Sequence, residues 1–213
     1  MWPTGSWIFL WGAEGKNAYP DDAIPFPMYD ELVASLESSP VVMKNGYPYF
    51  VHPLTDGVPR MDPKVLKDVL AWMYEVCSFD CDCLIAPEAM GIPLAVPVSL
   101  EKGIPYTVVR KKIYGLPGEV VFEQKTGYSD SRMSLNGLKK GDRVIIIDDV
   151  ISTGGTLVAL IEAVRSTGAE IVDILIPVEK NDGKDLVLER TGLRVKTLVR
   201  VSVVDGKVQC RTC

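Results

Sequence analysis

The sequence predicts a single α/β domain with a central, mainly parallel sheet flanked by helices. Short apolar runs alternate with segments of helical spacing, and strands separated by helices are joined by crossovers that leave neighbouring strands parallel. Residues 144–147 (Val-Ile-Ile-Ile) are apolar at every position, as expected for a strand buried on both faces. With 213 residues, 47% of them hydrophobic, the chain is long enough to bury a full core.

The predicted elements follow in chain order from an N-terminal extension, residues 1–27, which is rich in Trp, Gly and Pro and has no period. The apolar spacing at Leu32, Val33 and Leu36 predicts a short helix. Asp62 and Pro63 are typical of the capped start of a second helix. Strands are then predicted at 84–86, 104–109, 144–147, 171–176 and 195–204, with a further helix whose apolar residues are Leu157, Leu160, Ile161 and Val164.

Two features depart from this regular alternation. A polar, Gly-rich stretch at 112–137 is too long for an ordinary connection, and such segments are more often functional lids, so we expect a flexible lid over about 112–132. Pro97 falls inside the helix expected after Gly91, where proline removes a backbone donor, and it predicts a kink or a shorter helix.

Composition excludes several classes of protein. The net charge of -5 argues against binding of duplex nucleic acid, which favours a basic face. No apolar stretch is long enough to cross a bilayer and no signal-peptide pattern is present, so we expect a cytoplasmic protein with no membrane partner. The five cysteines are an odd number, which argues against a disulfide framework. Cys210 and Cys213 are either half of a metal or redox site, or part of a frayed tail, or small apolar residues at a surface.

The most informative motif is residues 148–156, Asp-Asp-Val-Ile-Ser-Thr-Gly-Gly-Thr. A buried strand ends in two carboxylates, and a turn rich in hydroxyls and glycine then begins a helix. Free backbone N–H groups at a helix N-terminus suit a phosphate, and glycines let the backbone approach it closely. Carboxylates repel phosphate, so their natural partners are hydroxyls or a metal. A sugar diol between the carboxylates and a bound phosphate satisfies every group, whereas neither a Walker lysine nor a dinucleotide fingerprint is present.

Residues 148–156 resemble the loop that binds phosphoribosyl pyrophosphate (PRPP) in type I phosphoribosyltransferases. Glu88-Ala89-Met90-Gly91 resembles the pyrophosphate loop of the adenine enzymes, and Arg110-Lys111 and residues 116–119 (Leu-Pro-Gly-Glu) also match them. Residues 46–53, 114–119 and 204–206 look most similar to the archaeal hypoxanthine phosphoribosyltransferases, a branch built like the adenine enzymes. The resemblance covers about 28–208. Residues 1–27 lie outside it, either as a mis-assigned start or as an arm at an interface.

The resemblance implies a type I phosphoribosyltransferase fold over 28–213, with a small hood formed by about 41–57 and the C-terminal strands. It implies that Asp148 and Asp149 hold the ribose hydroxyls, and that Arg110 and Glu119 are catalytic together with these two. The implied PRPP-binding residues are Glu88, Ala89, Met90, Gly91, Arg110, Lys111, Asp148, Asp149, Ser152, Thr153, Gly154, Gly155 and Thr156. The implied base-binding residues are Tyr49, Phe50, His52 and Val150, although core packing explains the aromatic residues and the histidine equally well.

The implied activity is Mg²⁺-dependent purine salvage, with PRPP and a purine base as partners and Mg²⁺ held mainly by PRPP. Hypoxanthine is the expected base and guanine a second one; adenine is the first alternative. A regulator that senses PRPP without catalysis is the alternative of another class. The resemblance also implies a homodimer. Ser152 stands where many 6-oxopurine enzymes of other lineages carry an aspartate, so the sequence does not identify a general base.

Overall fold

The computed structural model describes residues 29–44, 46–126 and 129–213. The expected extension, 1–27, lies outside these residues. The helices of this part of the chain are α1 (Asp30–Glu37), α2 (Pro53–Asp56), α3 (Pro63–Val76), α4 (Gly91–Lys102), α5 (Gly155–Ser166) and α6 (Gly183–Thr191). The strands are β1 (Val41–Lys44), β2 (Tyr47–Phe50), β3 (Cys83–Pro87), β4 (Tyr106–Val109), β5 (Val120–Thr126), β6 (Ser129–Leu135), β7 (Arg143–Ile147), β8 (Val150–Ile151), β9 (Glu170–Leu175), β10 (Val178–Lys180), β11 (Val199–Val204) and β12 (Lys207–Thr212).

The centre of the fold is a four-stranded sheet of order β4-β3-β7-β9 in which every pair of neighbours is parallel. Its strands are separated in sequence by α4, the β5–β6 hairpin and α5. The expectation of an α/β fold with a mainly parallel sheet flanked by helices is confirmed. All four strands therefore end at the same edge, where polar loops can converge on a ligand.

The apolar strand β7 packs on both of its faces, as its sequence predicts. Ile145 and Ile147 belong to the core formed with α1, α3 and α4, whereas Val144 and Ile146 belong to the core formed with α5. All four side chains are essentially inaccessible. Burial on both faces explains why no polar residue interrupts this strand.

A second four-stranded sheet, of order β12-β11-β10-β8, continues the first one. Asp148 and Asp149 connect β7 to β8, and residues 176–177 connect β9 to β10. Backbone hydrogen bonds cross this junction, from the Asp148 amide to the Leu175 carbonyl and from the Val178 amide to the Asp149 carbonyl, both 3.2 Å. The acid pair therefore lies where one sheet passes into the other and is held by backbone pairing.

Helix α3 begins as its sequence predicts, because the Asp62 carboxylate accepts a hydrogen bond from the Lys64 amide at 2.9 Å. Pro97 lies inside α4, yet the helix extends unshortened from Gly91 to Lys102. Of the two outcomes expected for Pro97, the shorter helix is wrong. Within the described residues, no helix is long and apolar enough to cross a membrane.

Several elements differ from the prediction. The strand expected at 195–204 begins at Val199 and is preceded only by an isolated bridge at Lys196. The stretch expected to be a lid contains the antiparallel pair β5–β6, with Phe122 opposite Met133. The C-terminus is not frayed, since β12 pairs with β11 as far as Thr212 and the Cys213 amide donates to the Leu198 carbonyl. Sequence reasoning missed β8, β10 and α6, which are too short or too polar to give a clear period.

Candidate active site

The acid pair lies at the carboxyl end of β7. Asp149 is almost fully buried and Asp148 is partly buried. The backbone amide of Asp149 donates to Asp148 Oδ1 at 3.0 Å, which fixes the first carboxylate against the chain. Burial raises the pKa of both carboxyl groups, and the neighbouring charge of Asp148 raises that of Asp149 further. Two carboxylates held close together in a dry site are favourable only when hydroxyl groups or cations come to them.

The loop that follows the acid pair lines a cavity of about 240 Å³. Its lining includes Asp148, Val150, Ser152, Thr153, Gly154 and Thr156, and the N-terminus of α5 opens into it. Gly154 has a φ of 80°, and a Cβ atom there would lie 2.5 Å from the Gly183 carbonyl oxygen, so only glycine fits. Hydroxyl groups, backbone donors and a helix N-terminus in one concave site provide what a phosphate requires.

A second loop approaches the acid pair from β3. Glu88, Ala89 and Met90 connect β3 to α4, and the peptide bond between Glu88 and Ala89 is cis. Gly91 begins the helix beside β7: a Cβ there would lie 2.7 Å from the Ile147 carbonyl oxygen and 3.2 Å from Asp148 Oδ1. The glycine therefore allows the N-terminus of α4 to lie against the acid pair.

Two basic residues at the end of β4 are tied to the same loop. Arg110 Nε lies 3.2 Å from Glu88 Oε2, and the Lys111 amide donates to Glu88 Oε1 at 2.5 Å. The backbone of Arg110 also pairs with Ser134 of β6 in both directions. Both basic side chains are exposed at the carboxyl edge of the sheet. Glu88 therefore binds its own neighbours, and its carboxylate orients the basic segment.

Glu119 closes a turn rather than pointing away from it. Its carboxylate accepts hydrogen bonds from the amides of Tyr114 (3.0 Å) and Gly115 (2.7 Å) and from Asn136 Nδ2 (2.9 Å). The Asn136 bond and the two amides lower the pKa of Glu119 to about 2. In this conformation Glu119 holds the shape of the 114–119 turn, and its carboxylate oxygens accept bonds from that turn and from Asn136.

The expected hood contains the β1–β2 hairpin and α2. Phe50 and His52 are 3% and 1% exposed. His52 Nδ1 accepts from the Leu54 amide at 3.1 Å, which leaves the proton on Nε2 to donate to Ser35 Oγ at 2.9 Å. Burial lowers the pKa of His52 to about 4, so the ring is neutral. Both ring nitrogens of His52 are thus bonded to neighbouring residues, which favours the structural alternative for this histidine.

Tyr49 is the more accessible of the expected hood residues. Its hydroxyl donates to Asp56 Oδ1 at 2.6 Å, and burial, followed by this hydrogen bond, raises its pKa. The negative charge of Asp149 raises it as well. Val150, in β8 directly after that pair, is partly buried and lines the cavity.

Lys180 is a residue at this site that sequence reasoning missed. It ends β10, which pairs with β8, and it is 9% exposed. Its ammonium lies 4.7 Å from the ring centroid of Tyr47 and 5.2 Å from those of Tyr49 and Phe50. Among the described residues, no carboxylate lies within ion-pair distance of it. The strand that it ends, Val178-Glu179-Lys180, is too short and too polar to have been recognised from the sequence.

Comparison with known proteins agrees with this geometry. Residues 63–202 match the model of the phosphoribosyl transferase domain. A hypoxanthine/guanine phosphoribosyltransferase of Methanocaldococcus sp. is 51% identical over 178 residues, which are 83% of this chain and 91% of the relative. Another, from Methanobacterium lacus, is 50% identical over 182 residues, 85% of this chain and 96% of that one.

Solved structures show the same fold. An adenine phosphoribosyltransferase from Thermoanaerobacter pseudethanolicus superposes with a TM-score of 0.66 at 23% identity, covering 81% of this chain and 99% of its own. The Giardia lamblia enzyme, complexed with 9-deazaadenine, gives a TM-score of 0.65 at 21% identity over 81% of this chain and 97% of its own. At this identity the likeness concerns the fold. The acid pair, the loop before α5 and the family match together establish that the chain belongs to the phosphoribosyl transferase domain family.

Proposed function

We propose that this protein is a purine phosphoribosyltransferase that transfers the 5-phosphoribosyl group from PRPP to hypoxanthine, with guanine as a second substrate, in purine salvage. The observation that carries the proposal is the pair of neighbouring carboxylates, Asp148 and Asp149, just before the hydroxyl-rich turn that begins α5. The names of relatives about 50% identical to this chain support a 6-oxopurine as the base.

In the proposed reaction the C1′–oxygen bond to pyrophosphate breaks, and a bond forms from C1′ to a ring nitrogen of the base, which loses its proton. The hydroxyl and backbone groups of 152–156 hold the 5′-phosphate, and Asp148 and Asp149 accept hydrogen bonds from the ribose hydroxyls. Ionised carboxylates beside the sugar also stabilise the positive charge that develops on the ribosyl ring. Reaction at C1′ thus depends on positioning and fixed charge.

The leaving pyrophosphate is assigned to the 88–91 loop with Arg110 and Lys111. The two basic side chains offset its negative charge, and Gly91 brings backbone donors of α4 close to it. We assign Glu88 to hold Arg110 in place, because its carboxylate is already bonded to this segment. Glu119 shapes the turn at the base of the β5–β6 lid, and lid closure would exclude water from a cation that hydrolyses easily.

Lys180 supports the choice of a 6-oxopurine over adenine. An ammonium group is a donor only, so it matches the oxo acceptor at position 6 of hypoxanthine and not the amino donor of adenine. Its ammonium lies beside the rings of Tyr47, Tyr49 and Phe50 in the expected hood, which is where we place the base. Two donors that face each other in a buried site weaken binding strongly, so Lys180 would disfavour adenine relative to a 6-oxopurine.

Mg²⁺ is the proposed cofactor. The carboxylates of the site fit a metal ion that is bound mainly by the phosphates of PRPP. Within the described ranges, no group of three or more His, Cys, Asp or Glu side chains is placed to hold a metal ion. Mg²⁺ is usually bound by one or two carboxylates together with substrate phosphates and waters. Asp148 and Asp149 supply carboxylates of this kind, and bound Mg²⁺ would offset the charge on the pyrophosphate oxygens.

A base panel tests the proposal. Purified protein with PRPP and Mg²⁺ is given adenine, hypoxanthine, guanine or xanthine, and nucleotide formation is followed by chromatography. Turnover of hypoxanthine is expected; turnover of adenine alone would replace the assignment by the adenine alternative. PRPP binding without turnover of any base, together with salt-sensitive nucleic-acid binding, would indicate the regulator.

Lys180→Met sharpens this test, with the exposed Lys139→Met as the matched control. Removal of a hydrogen bond from a charged donor to a buried acceptor costs about 2–3 kcal/mol of transition-state stabilisation. The value of kcat/KM for hypoxanthine should therefore fall about 30- to 150-fold. Methionine keeps the unbranched side chain except for its last atom and leaves no buried charge, so the fold should persist. An unchanged kcat/KM for hypoxanthine would remove Lys180 from base recognition.

The homodimer implied by the resemblance also remains a proposal. Light scattering of the purified protein at several concentrations measures its mass directly. A mass near 47 kDa, twice the 23.4 kDa of one chain, is expected. A mass of one chain at every concentration would contradict it.

A further inference from the structure

A loop that is distant in sequence packs directly against the phosphate loop. Residues 181–182 connect β10 to α6, which begins at Gly183. A Cβ on Gly183 would overlap the Ser152 carbonyl oxygen and lie 2.9 Å from the Gly154 amide nitrogen, so the two backbones are in contact. The shape of the phosphate loop is therefore determined partly by residues outside its own motif.

The side chain of Asn181 adds a directed contact. Its Nδ2 donates to Ser152 Oγ at 3.1 Å. Because the serine oxygen accepts this bond, its own proton is free to point elsewhere, and Ser152 lines the cavity with Thr153 and Gly154. Asn181 thus makes the hydroxyl of Ser152 a donor toward the cavity.

Asn181 is held in an unusual backbone conformation. Its φ is 61°, in the left-handed region that asparagine tolerates better than most residues. The Arg200 guanidinium donates to the Asn181 carbonyl at 3.2 Å and to Asp182 Oδ1 at 2.6 Å. A buried ion pair joins the two elements on either side of this loop. Glu179, in β10, is 4% exposed, and its Oε2 lies 2.9 Å from Nζ of Lys184, in α6. The loop is therefore held from two sides.

From these contacts we infer that Asn181 is a positioning residue, which orients the Ser152 hydroxyl as a donor to a phosphate oxygen of PRPP. This rests on the proposed function in that PRPP is taken as the ligand. Phosphate is the acceptor that the site favours, because the same cavity contains the hydroxyl-bearing turn and the N-terminus of α5. Asn181 itself need not touch the substrate.

The test uses Asn181→Asp and Asn181→Gly. Aspartate keeps the size and the backbone preference but can only accept, so the Ser152 proton turns toward it and away from the cavity. Glycine removes the side chain and tolerates the left-handed backbone. We expect KM for PRPP to rise about tenfold in each variant, as for loss of one oriented hydrogen bond. KM for the base, measured at saturating PRPP, should be unchanged.

A double-mutant cycle separates positioning from general damage. Ser152→Ala should raise KM for PRPP by a similar factor, and adding Asn181→Gly to it should raise KM no further, because the two residues act through one hydroxyl. Ser166→Ala, at the other end of α5, where the hydroxyl donates to the Ala163 carbonyl, is the matched control and should leave KM unchanged. The inference would be overturned if the effects of Ser152→Ala and Asn181→Gly on KM for PRPP were additive. It would also be overturned if both Asn181 variants kept the wild-type KM for PRPP, or if only the KM for the base rose.

Calorimetric titration of each variant with PRPP alone keeps this inference distinct from the proposed function. Weaker PRPP binding in the Asn181 variants supports positioning even if no base is turned over by the wild type. Equal PRPP binding in wild type and variants, beside full wild-type turnover of hypoxanthine, overturns the positioning role and leaves the proposed function intact.

Discussion

Replacing Asp148 by asparagine should stabilise the ligand-free protein while it impairs the reaction. The change is isosteric, and the Oδ1 atom that accepts from the Asp149 amide is retained. What is lost is a negative charge that is partly buried beside a second carboxyl group. Residues that bind a ligand by charge often destabilise the empty site in this way.

The size of the effect follows from the pKa of Asp148. Burial raises it from 3.8 to about 6, and each unit corresponds to about 1.4 kcal/mol. Because the folded-state value lies above the unfolded one, the wild type loses stability as pH rises from about 4 to about 6. Asp148→Asn should therefore increase the free energy of unfolding by about 3 kcal/mol at pH 7.5 and by less than about 1 kcal/mol at pH 4.

Urea titrations of both proteins at pH 4 and pH 7.5, without ligand, measure this difference. A rise in Tm of about 6–12 °C at pH 7.5 is expected in parallel. Asp205→Asn, at an exposed turn position with a φ of 50°, is the control and should show no pH-dependent gain. A variant less stable than wild type at pH 7.5, or a gain of equal size at both pH values, would refute the reasoning.

Three further changes test other parts of the structure. Gly91→Ala places a Cβ 2.7 Å from the Ile147 carbonyl oxygen and should lower the free energy of unfolding by about 1–3 kcal/mol, measured by urea titration; an unchanged midpoint would show that α4 moves freely. Glu119→Gln should speed hydrogen exchange of the Tyr114 and Gly115 amides, read by mass spectrometry, and equal exchange would argue against the turn-closing role. Burial lowers the pKa of His52 to about 4, below its unfolded value of 6.5. The free energy of unfolding of the wild type should therefore fall by about 3 kcal/mol as pH falls from 6.5 to 4. That of His52→Asn should fall by less, and an equal fall in both proteins would contradict this.

Local sequence was informative where one segment contains both a secondary-structure element and the ligand-binding residues next to it. The run at 144–156 combines a doubly buried strand, an acid pair, a turn and a helix start, and the structure places them in that order. Asp62 capped its helix as expected for the same reason, since a cap and its helix are neighbours in the chain. Each of these depends on contacts between residues close in sequence.

Sequence reasoning was weaker for residues whose roles depend on partners distant in the chain. Nothing near Glu119 indicated that its carboxylate would bond Asn136 and its own turn, and nothing near His52 indicated Ser35. The strand expected from Val195 began at Val199, because pairing with β10 and β12 determines where it starts. Apolar periodicity reports burial, but it does not report which neighbour provides the pairing.

The sequence by itself determined the α/β class, the doubly buried strand β7 and the acidic, hydroxyl-rich loop that identifies the family, because these follow from period, burial and a continuous motif. Only the tertiary structure decided that Lys180 lies among three aromatic rings and that Asn181 bonds to Ser152. The physical reason is that β8 and β10 pair in parallel although α5 and β9 lie between them in the sequence. A pairing between such distant segments leaves no local pattern in the chain.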